Sequence, residues 1–421
     1  MTAFFKSIRN NKLAISIRKL FPNDLINITW HLPKAILANF IYLFPGKKIK
    51  VIAVTGTKGK TSTAHLIYHI LKSNQRKVGL ISTIEAIIAD KSYDTGLHVT
   101  NPSPFALQKF LHQAVKEQLE YVVLEVTSHG LAQFRNWGLP FELGVFTNIQ
   151  SDHLEYHHDL NEYKRIKAKL IDQSKKVLIN QQDPGSHFLL SVASKKNVPT
   201  FQYSAEKTDF ASQNKQAAIQ AAVILGIDQK SAQQACLSFP GVSGRMEIIQ
   251  KQPFLLVIDF AHTPDSLELA LKELKKSVKI GGRLIAVFGC AGERDVGRRK
   301  MGAIAARFSN FFIITAEDPR RESLEKINLE IAKHAKTQGA IEISQDQLKK
   351  YGIPLGGTTH FVRINDRQTA INIAIMLGRS GDVVGLFGKG HEKSMCFATI
   401  EKPWSEHQAV KNALKKYSKF K

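Results

Sequence analysis

Two α/β domains with mostly parallel sheets, preceded by a short basic helical segment, are what this sequence predicts, and three observations predict them. Short apolar runs rich in β-branched residues alternate with amphipathic stretches, the pattern of buried strands joined by crossover helices. That series runs from residue 49 and resumes after residue 245, with Pro/Gly/Ser punctuation at 239–244 between the two. The first fifty residues instead hold nine Lys or Arg against one acid, Asp24. At 421 residues, the chain is long enough for two or three domains with real cores.

The strand candidates of the first series are residues 49–55, 78–82, 121–126, 143–148 and 177–180, with helices expected over 62–73 and 104–118. Those of the second are 255–260, 283–289, 311–315 and 383–387. No repeat of 20–50 residues is visible, which argues against a solenoid. The expected domains are therefore 1–48, 49–240 and 241–421.

With 43% hydrophobic and 23% charged residues, the composition is that of a soluble globular protein. Cys236, Cys290 and Cys396 form no CxxC pair, so a reducing, cytoplasmic setting is expected. The net charge of +23 is unusual, and nucleic acid, an anionic membrane or a polyanionic substrate would each suit it. Residues 1–50 carry +8 and the last eleven carry +5, leaving +10 for the rest. The N-terminus lacks the continuous apolar core of a secretory signal. The apolar stretch 35–44 is too short to span a bilayer, and either lies on a membrane surface or packs on the protein.

The first strand runs into Thr55-Gly-Thr-Lys-Gly-Lys-Thr-Ser62 and then a helix. Gly56 and Gly59 permit a tight turn in which the backbone N–H groups of Thr57, Lys58 and their neighbours approach phosphate oxygens. The helix beginning near Ser62 turns its positive end to the same anion. Lys60 reaches the β- and γ-phosphates, and the Thr61 hydroxyl binds Mg²⁺. This is a P-loop, although its GxxGKT spacing is shorter than the full motif. Two clusters, Glu125 to His129 and Thr147 to His157, fall at the ends of neighbouring strands, where carboxylate and imidazole groups could hold metal beside the phosphates.

Six ordered motifs together resemble the ATP-dependent Mur ligases of peptidoglycan synthesis, at 55–62, 125–131, 152–157, 244–247, 259–266 and 388–392. The resemblance is strongest to the branch that adds the third amino acid to UDP-N-acetylmuramoyl-dipeptide. It implies a central P-loop ATPase domain, a C-terminal Rossmann-like domain, and cell-wall synthesis by acyl-phosphate chemistry with ATP and Mg²⁺. It also implies metal ligation by Glu125 and His153, and carbamylation of Lys167. The sequence alone reads Lys167 as a solvated helix-face lysine, like Lys164 and Lys169. Asn148, Arg245, Asp259 and His262 match nucleotide-contacting positions. Thr100, Gln133 and Arg135 match residues that hold the acceptor, while Asn101 stands where a second Thr is usual and Thr127 where Ser is usual.

For the incoming amino acid, Glu317-Asp-Pro-Arg320 resembles the Asp-Asn-Pro-Arg motif of ligases selecting meso-diaminopimelate, with Asp318 replacing Asn. Arg320 is suited to pair with the distal carboxylate that lysine lacks. Gly388 and Glu392 match the same pocket, and Arg299 is expected as a second carboxylate clamp. The family usually has a whole small domain before the phosphate loop, holding the uridine diphosphate, where about fifty residues stand here. The alternatives are a polyglutamate-forming, cyanophycin-forming or lysine-adding ligase of the same superfamily, or a P-loop protein that binds nucleic acid or membrane through its basic ends. No RNA-recognition motif is present, so nucleic acid is not an expected partner. Peripheral membrane contact through the N-terminal segment is left open.

Overall fold

The structure is a computed structural model that describes residues 23–95, 101–149, 159–207, 209–354 and 356–417. The chain divides into two compact units, Met1–Pro240 and Gly241–Lys421. Thr100, His153 and the rest of the acid/His stretch at 152–157 lie outside the described residues.

In the first unit, helical turns over Asn23–Ile26 and Asn27–His31 run into helix α1 (Leu32–Ile41), and the sheet has eight strands: β1 (Lys50–Thr55), β2 (Val78–Ile81), β3 (Ala86–Ile88), β4 (Lys91–Tyr93), β5 (Tyr121–Glu125), β6 (Phe141–Phe146), β7 (Val177–Asn180) and β8 (Thr200–Tyr203). Their order across the sheet is β4-β3-β2-β5-β1-β6-β7-β8. All neighbours are parallel except the β2-β3-β4 meander. Successive residues of β1 point to opposite faces, so Val51 and Ala53 enter one core while Ile52 and Val54 enter the other. Helices α2 (Lys60–Ser73), α3 (Pro104–Lys116), α4 (Ser128–Ala132), α5 (Leu160–Asp172), α6 (Ser186–Lys195), α7 (Phe210–Ile224) and α8 (Gln229–Leu237) complete the unit. Residues of α3, α5 and α6 fill the first core and those of α2, α7 and α8 the second. The sixth strand begins at Phe141, two residues before the expected 143, because Phe141 pairs back to Val51.

The second unit has a seven-stranded sheet in the order β13-β14-β12-β11-β15-β10-β9. Its strands are β9 (Glu247–Gln250), β10 (Leu255–Asp259), β11 (Leu284–Phe288), β12 (Phe311–Ile314), β13 (Ile341–Glu342), β14 (His360–Arg363) and β15 (Val383–Phe387). Only β9 pairs antiparallel within this sheet. A small hairpin, β16 (Ser394–Phe397) with β17 (Ile400–Pro403), follows. One face is covered by α9 (Pro264–Lys275), α10 (Met301–Phe308) and α11 (Leu324–Lys336). The other carries α12 (Gln345–Tyr351), α13 (Arg367–Leu377) and α14 (Glu406–Tyr417).

One fully buried ion pair ties the last helices to the strand ends. Glu406 Oε2 accepts from Arg367 Nε at 3.0 Å and from the Trp404 indole at 2.9 Å, and Arg367 also donates to the carbonyls of Ala316 (3.1 Å) and Phe387 (2.8 Å). Those two carbonyls sit immediately before Glu317 and Gly388.

Candidate active site

In the first unit, β1 lies between β5 and β6, and the chain crosses the sheet in both directions from it. Parallel sheets bind ligands at the strand ends beside such a reversal. The phosphate loop occupies that place. Gly56 and Gly59 have φ of +154° and +80°, and a Cβ on either would overlap Thr147 Oγ1 or the Asn214 side chain respectively. The cradle therefore requires glycine at both positions.

The loop is braced from below. Asn148 accepts from the Lys58 N–H at 2.9 Å and donates to the Lys58 carbonyl at 3.0 Å, while its own carbonyl accepts from Thr57 N at 2.8 Å. Lys60 Nζ folds back onto the Gly56 and Thr57 carbonyls at 3.0 and 2.8 Å. Lys167 Nζ donates to the same Gly56 carbonyl at 2.7 Å and lies 4.7 Å over the Tyr163 ring. It is 1% exposed, so the reading as a solvated lysine is corrected. Lys167 shares the inward face of α5 with Tyr163, Ile166 and Leu170.

Glu125, at the end of β5, brings two groups of residues together. Its carboxylate accepts from the Thr61 hydroxyl at 3.1 Å and from the N–H and hydroxyl of Thr83 at 3.0 and 2.8 Å. Its backbone carbonyl accepts from Asn101 Nδ2 at 2.9 Å. Asn101 Oδ1 in turn accepts from Thr127 N (2.7 Å) and Thr127 Oγ1 (2.6 Å), and Arg135 reaches the Asn101 carbonyl and Gln133 Oε1. The two departures from the family pattern, Asn101 and Thr127, thus touch each other. Ser62 lies in the first turn of α2, half-buried. Among the described residues no cluster of three or more His, Cys, Asp or Glu is poised for a metal.

In the second unit the strand ends carry a different chemistry. Asp259 closes β10 and accepts from Met246 N and Ala261 N at 2.7 and 2.8 Å. Burial raises its pKa against the opposing charge of Arg245. The Arg245 guanidinium lies 4.4 Å over the Phe260 ring, which His262 and His391 also flank. Beyond β12 and β15, the buried Lys389 ammonium donates to Asp318 Oδ1 at 2.8 Å and to Glu392 Oε2 at 2.5 Å. Beneath Gly388, whose φ is +105°, lies Glu317; a Cβ at 388 would stand 3.4 Å from its Cγ.

Arg320 adopts φ of +54° and is pinned by the hairpin, its N–H donating to Cys396 O at 3.0 Å and its carbonyl accepting from Ala398 N. Arg299, expected as a carboxylate clamp, is deeply buried. Its guanidinium is 1% exposed and donates to Glu322, Glu330 and the Ala291 carbonyl. The guanidinium that senses Arg320 is that of Arg294, whose pKa is lowered by burial and then by the charges of Arg320 and Arg298.

Residues 54–242 match the Mur ligase middle domain and residues 244–390 match the Mur ligase, glutamate ligase domain. The chain belongs to the Mur ligase family. The UDP-N-acetylmuramoyl-L-alanyl-D-glutamate--2,6-diaminopimelate ligase of Trichormus variabilis is 35% identical, over 92% of this chain and 81% of that protein. The enzyme of the same name from Caldanaerobacter subterraneus subsp. tengcongensis is 33% identical, over 90% and 81%. A solved structure of a ligase of that name has a TM-score of 0.60 at 28% identity, covering 90% of this chain and 82% of that one. E. coli FolC in complex with ADP has a TM-score of 0.65 at 18% identity, over 85% and 90%, and shows the shared fold.

As a Mur ligase the chain is an ATP-dependent amide ligase. Several residues that build its candidate site were not assigned by sequence reasoning. Thr83, Tyr163 and Asn214 lie outside the motifs: Tyr163 and Asn214 meet the phosphate loop at Thr57 and Gly59, and Thr83 meets Glu125, only through tertiary folding. Lys389 and Glu317 sit inside quoted motifs, but their burial is what makes them matter.

Proposed function

We propose that this Mur ligase joins meso-diaminopimelate to UDP-N-acetylmuramoyl-L-Ala-D-Glu in the cytoplasm. The γ-phosphoryl group of ATP passes to the acceptor carboxylate, forming an acyl phosphate and ADP. The amine of the incoming amino acid then attacks the acyl carbon, phosphate leaves, and the nitrogen loses a proton as the amide forms. The observation that carries this reading is the double engagement of Glu125. Its carboxylate meets the phosphate loop at Thr61 and its carbonyl meets the Asn101–Thr127–Arg135 group, so donor and acceptor share one residue.

The oxygen donors of Thr61 and Glu125 fit Mg²⁺, a hard cation, and with His153 and a carbamylated Lys167 they would hold it. Bound Mg²⁺ neutralises phosphate charge during transfer. Lys60 exchanges its two loop carbonyls for phosphate oxygens, and Asn148 keeps the Lys58 peptide aimed at them. Arg245, stacked on Phe260, supplies a cation for the nucleotide, with Asp259 and His262 as further contacting positions. Thr100 joins Asn101, Thr127, Gln133 and Arg135 in holding the acceptor. Arg320, with Arg294 beside it, takes the distal carboxylate of the diamino acid, and Asp318, Gly388 and Glu392 take its ammonium end. The names and identities of the relatives support this choice of substrate.

Purified protein supplied with ATP, Mg²⁺, the UDP-linked acceptor and one amino acid at a time tests the reading through phosphate release. Release with diaminopimelate should exceed release with lysine, and Lys60→Ala should lower it by roughly a hundredfold or more. Turnover with a folate or an amino-acid polymer, and none with the UDP-linked acceptor, would overturn the proposal.

A further inference from the structure

Helix α1 is amphipathic the wrong way round for a helix packed on a core. Its buried stripe is narrow and small, made of Ala35, Ala38 and Asn39, and is held down by Asn39 Nδ2 donating to the Trp137 carbonyl at 2.9 Å. The following turn is locked as well, with Gly46 buried against Leu139 and Tyr42 against His112. The large apolar side chains face outward. Trp30, Leu37, Phe40, Ile41 and Leu43 are all more than half exposed.

Seven of the seventeen large apolar side chains exposed among the described residues fall within residues 25–43, so this is a patch and not scatter. The rim is cationic. Lys34 Nζ lies 3.6 Å over the Trp30 ring and Lys47 Nζ 4.9 Å over Phe44, with Lys48 exposed beside them. Residues 25–50 contain no acid, and residues 1–22 add five Lys or Arg and none.

We infer that this face of the first unit docks on the surface of an anionic lipid bilayer. Apolar side chains of this size enter the headgroup boundary, while lysines on their alkyl stems stay at the level of the lipid phosphates. No helix among the described residues is long and apolar enough to cross a membrane, so the contact is interfacial. Charge decides between possible occupants. A second copy of this face, or residues 1–22 folded over it, would set cations against cations, whereas anionic lipid complements both the patch and the sequence before it. Since the patch lies on locked α1 and on the helical turns that run into and out of it, the orientation of the unit on the bilayer is fixed by the fold.

The test is sedimentation of the full chain with vesicles of phosphatidylcholine alone or mixed with phosphatidylglycerol. Binding is expected to the mixed vesicles, to weaken with salt, and to fall by roughly tenfold or more in the Trp30→Ser, Leu37→Ser, Phe40→Ser triple variant. These are surface positions, and an unchanged melting temperature would show that the variant is folded. The Trp30 emission, isolated by difference against Trp30→Phe, should shift to the blue and be quenched by brominated lipid. Equal binding by the triple variant, or equal binding to neutral vesicles, would overturn the inference. So would a Trp30 already shielded from acrylamide without vesicles, which would identify residues 1–22 or a second copy as the occupant. Sedimentation equilibrium tells those two apart.

Discussion

Glu317 and Lys389 are neighbours in the same pocket, and they resolve the cost of burial in opposite ways. Lys389 is compensated by two carboxylates, whose charges and hydrogen bonds raise its pKa against the opposing effect of burial. Glu317 has an Oε2 with no hydrogen-bond partner, and burial pushes its pKa up to about 7, past the opposing charge of Lys389. Between about 4.5 and 7 the native protein therefore holds a proton that the unfolded chain has released, so stability falls as pH rises through that window. The loss amounts to at most about 3 kcal/mol. Glu317→Gln should gain on the parent between pH 5 and pH 8 in paired denaturant titrations. An equal difference at both pH values would refute this account. Residue chemistry was legible where it follows local order. Lys60 and Thr61 stand together because strand, loop and helix fix their positions, and folding brings Glu125 to Thr61 across 64 residues. The burial of Arg299 was not legible, because its two partners, Glu322 and Glu330, lie twenty or more residues away and leave no local trace.

Among the elements, those buried on both faces were readable and the half-exposed ones were not. Strands β1, β2, β5, β7 and β10 to β12 are continuous apolar runs, which only a sheet covered on both sides tolerates. Strand β8 exposes three of its four residues and β17 all four, so neither leaves an apolar signature. The antiparallel strands β3, β4 and β9 are short, with β4 and β9 at sheet edges, and their pairing is set by their neighbours. At this scale the decisive contact is Arg367 with Glu406, which fastens α13 and α14 beneath the pocket. Glu406→Ala would leave a guanidinium buried without its counter-charge and should cost about 3–5 kcal/mol. Chemical denaturation measures it, and a cost below about 1 kcal/mol would show that the two carbonyls satisfy Arg367 alone.

At the level of the whole molecule, the +23 charge separates into a mildly basic body and strongly basic ends. The chain divides into compact units after Pro240, within the Pro/Gly/Ser stretch at 239–244. Nucleotide binding should be visible in global stability. A saturating, non-hydrolysable ATP analogue with Mg²⁺ at a hundred times its dissociation constant should add about 2.7 kcal/mol. Gly59→Ala should abolish that gain, because its methyl would overlap Asn214; a full shift in this variant would contradict the cradle geometry. Trp404 offers an optical consequence. It is the only tryptophan of residues 241–421, and its indole is bonded to the carboxylate that holds Arg367 against the Ala316 and Phe387 carbonyls. Isolated by difference from Trp30 and Trp137, its fluorescence is thus a built-in gauge of the strand ends that carry Glu317 and Gly388.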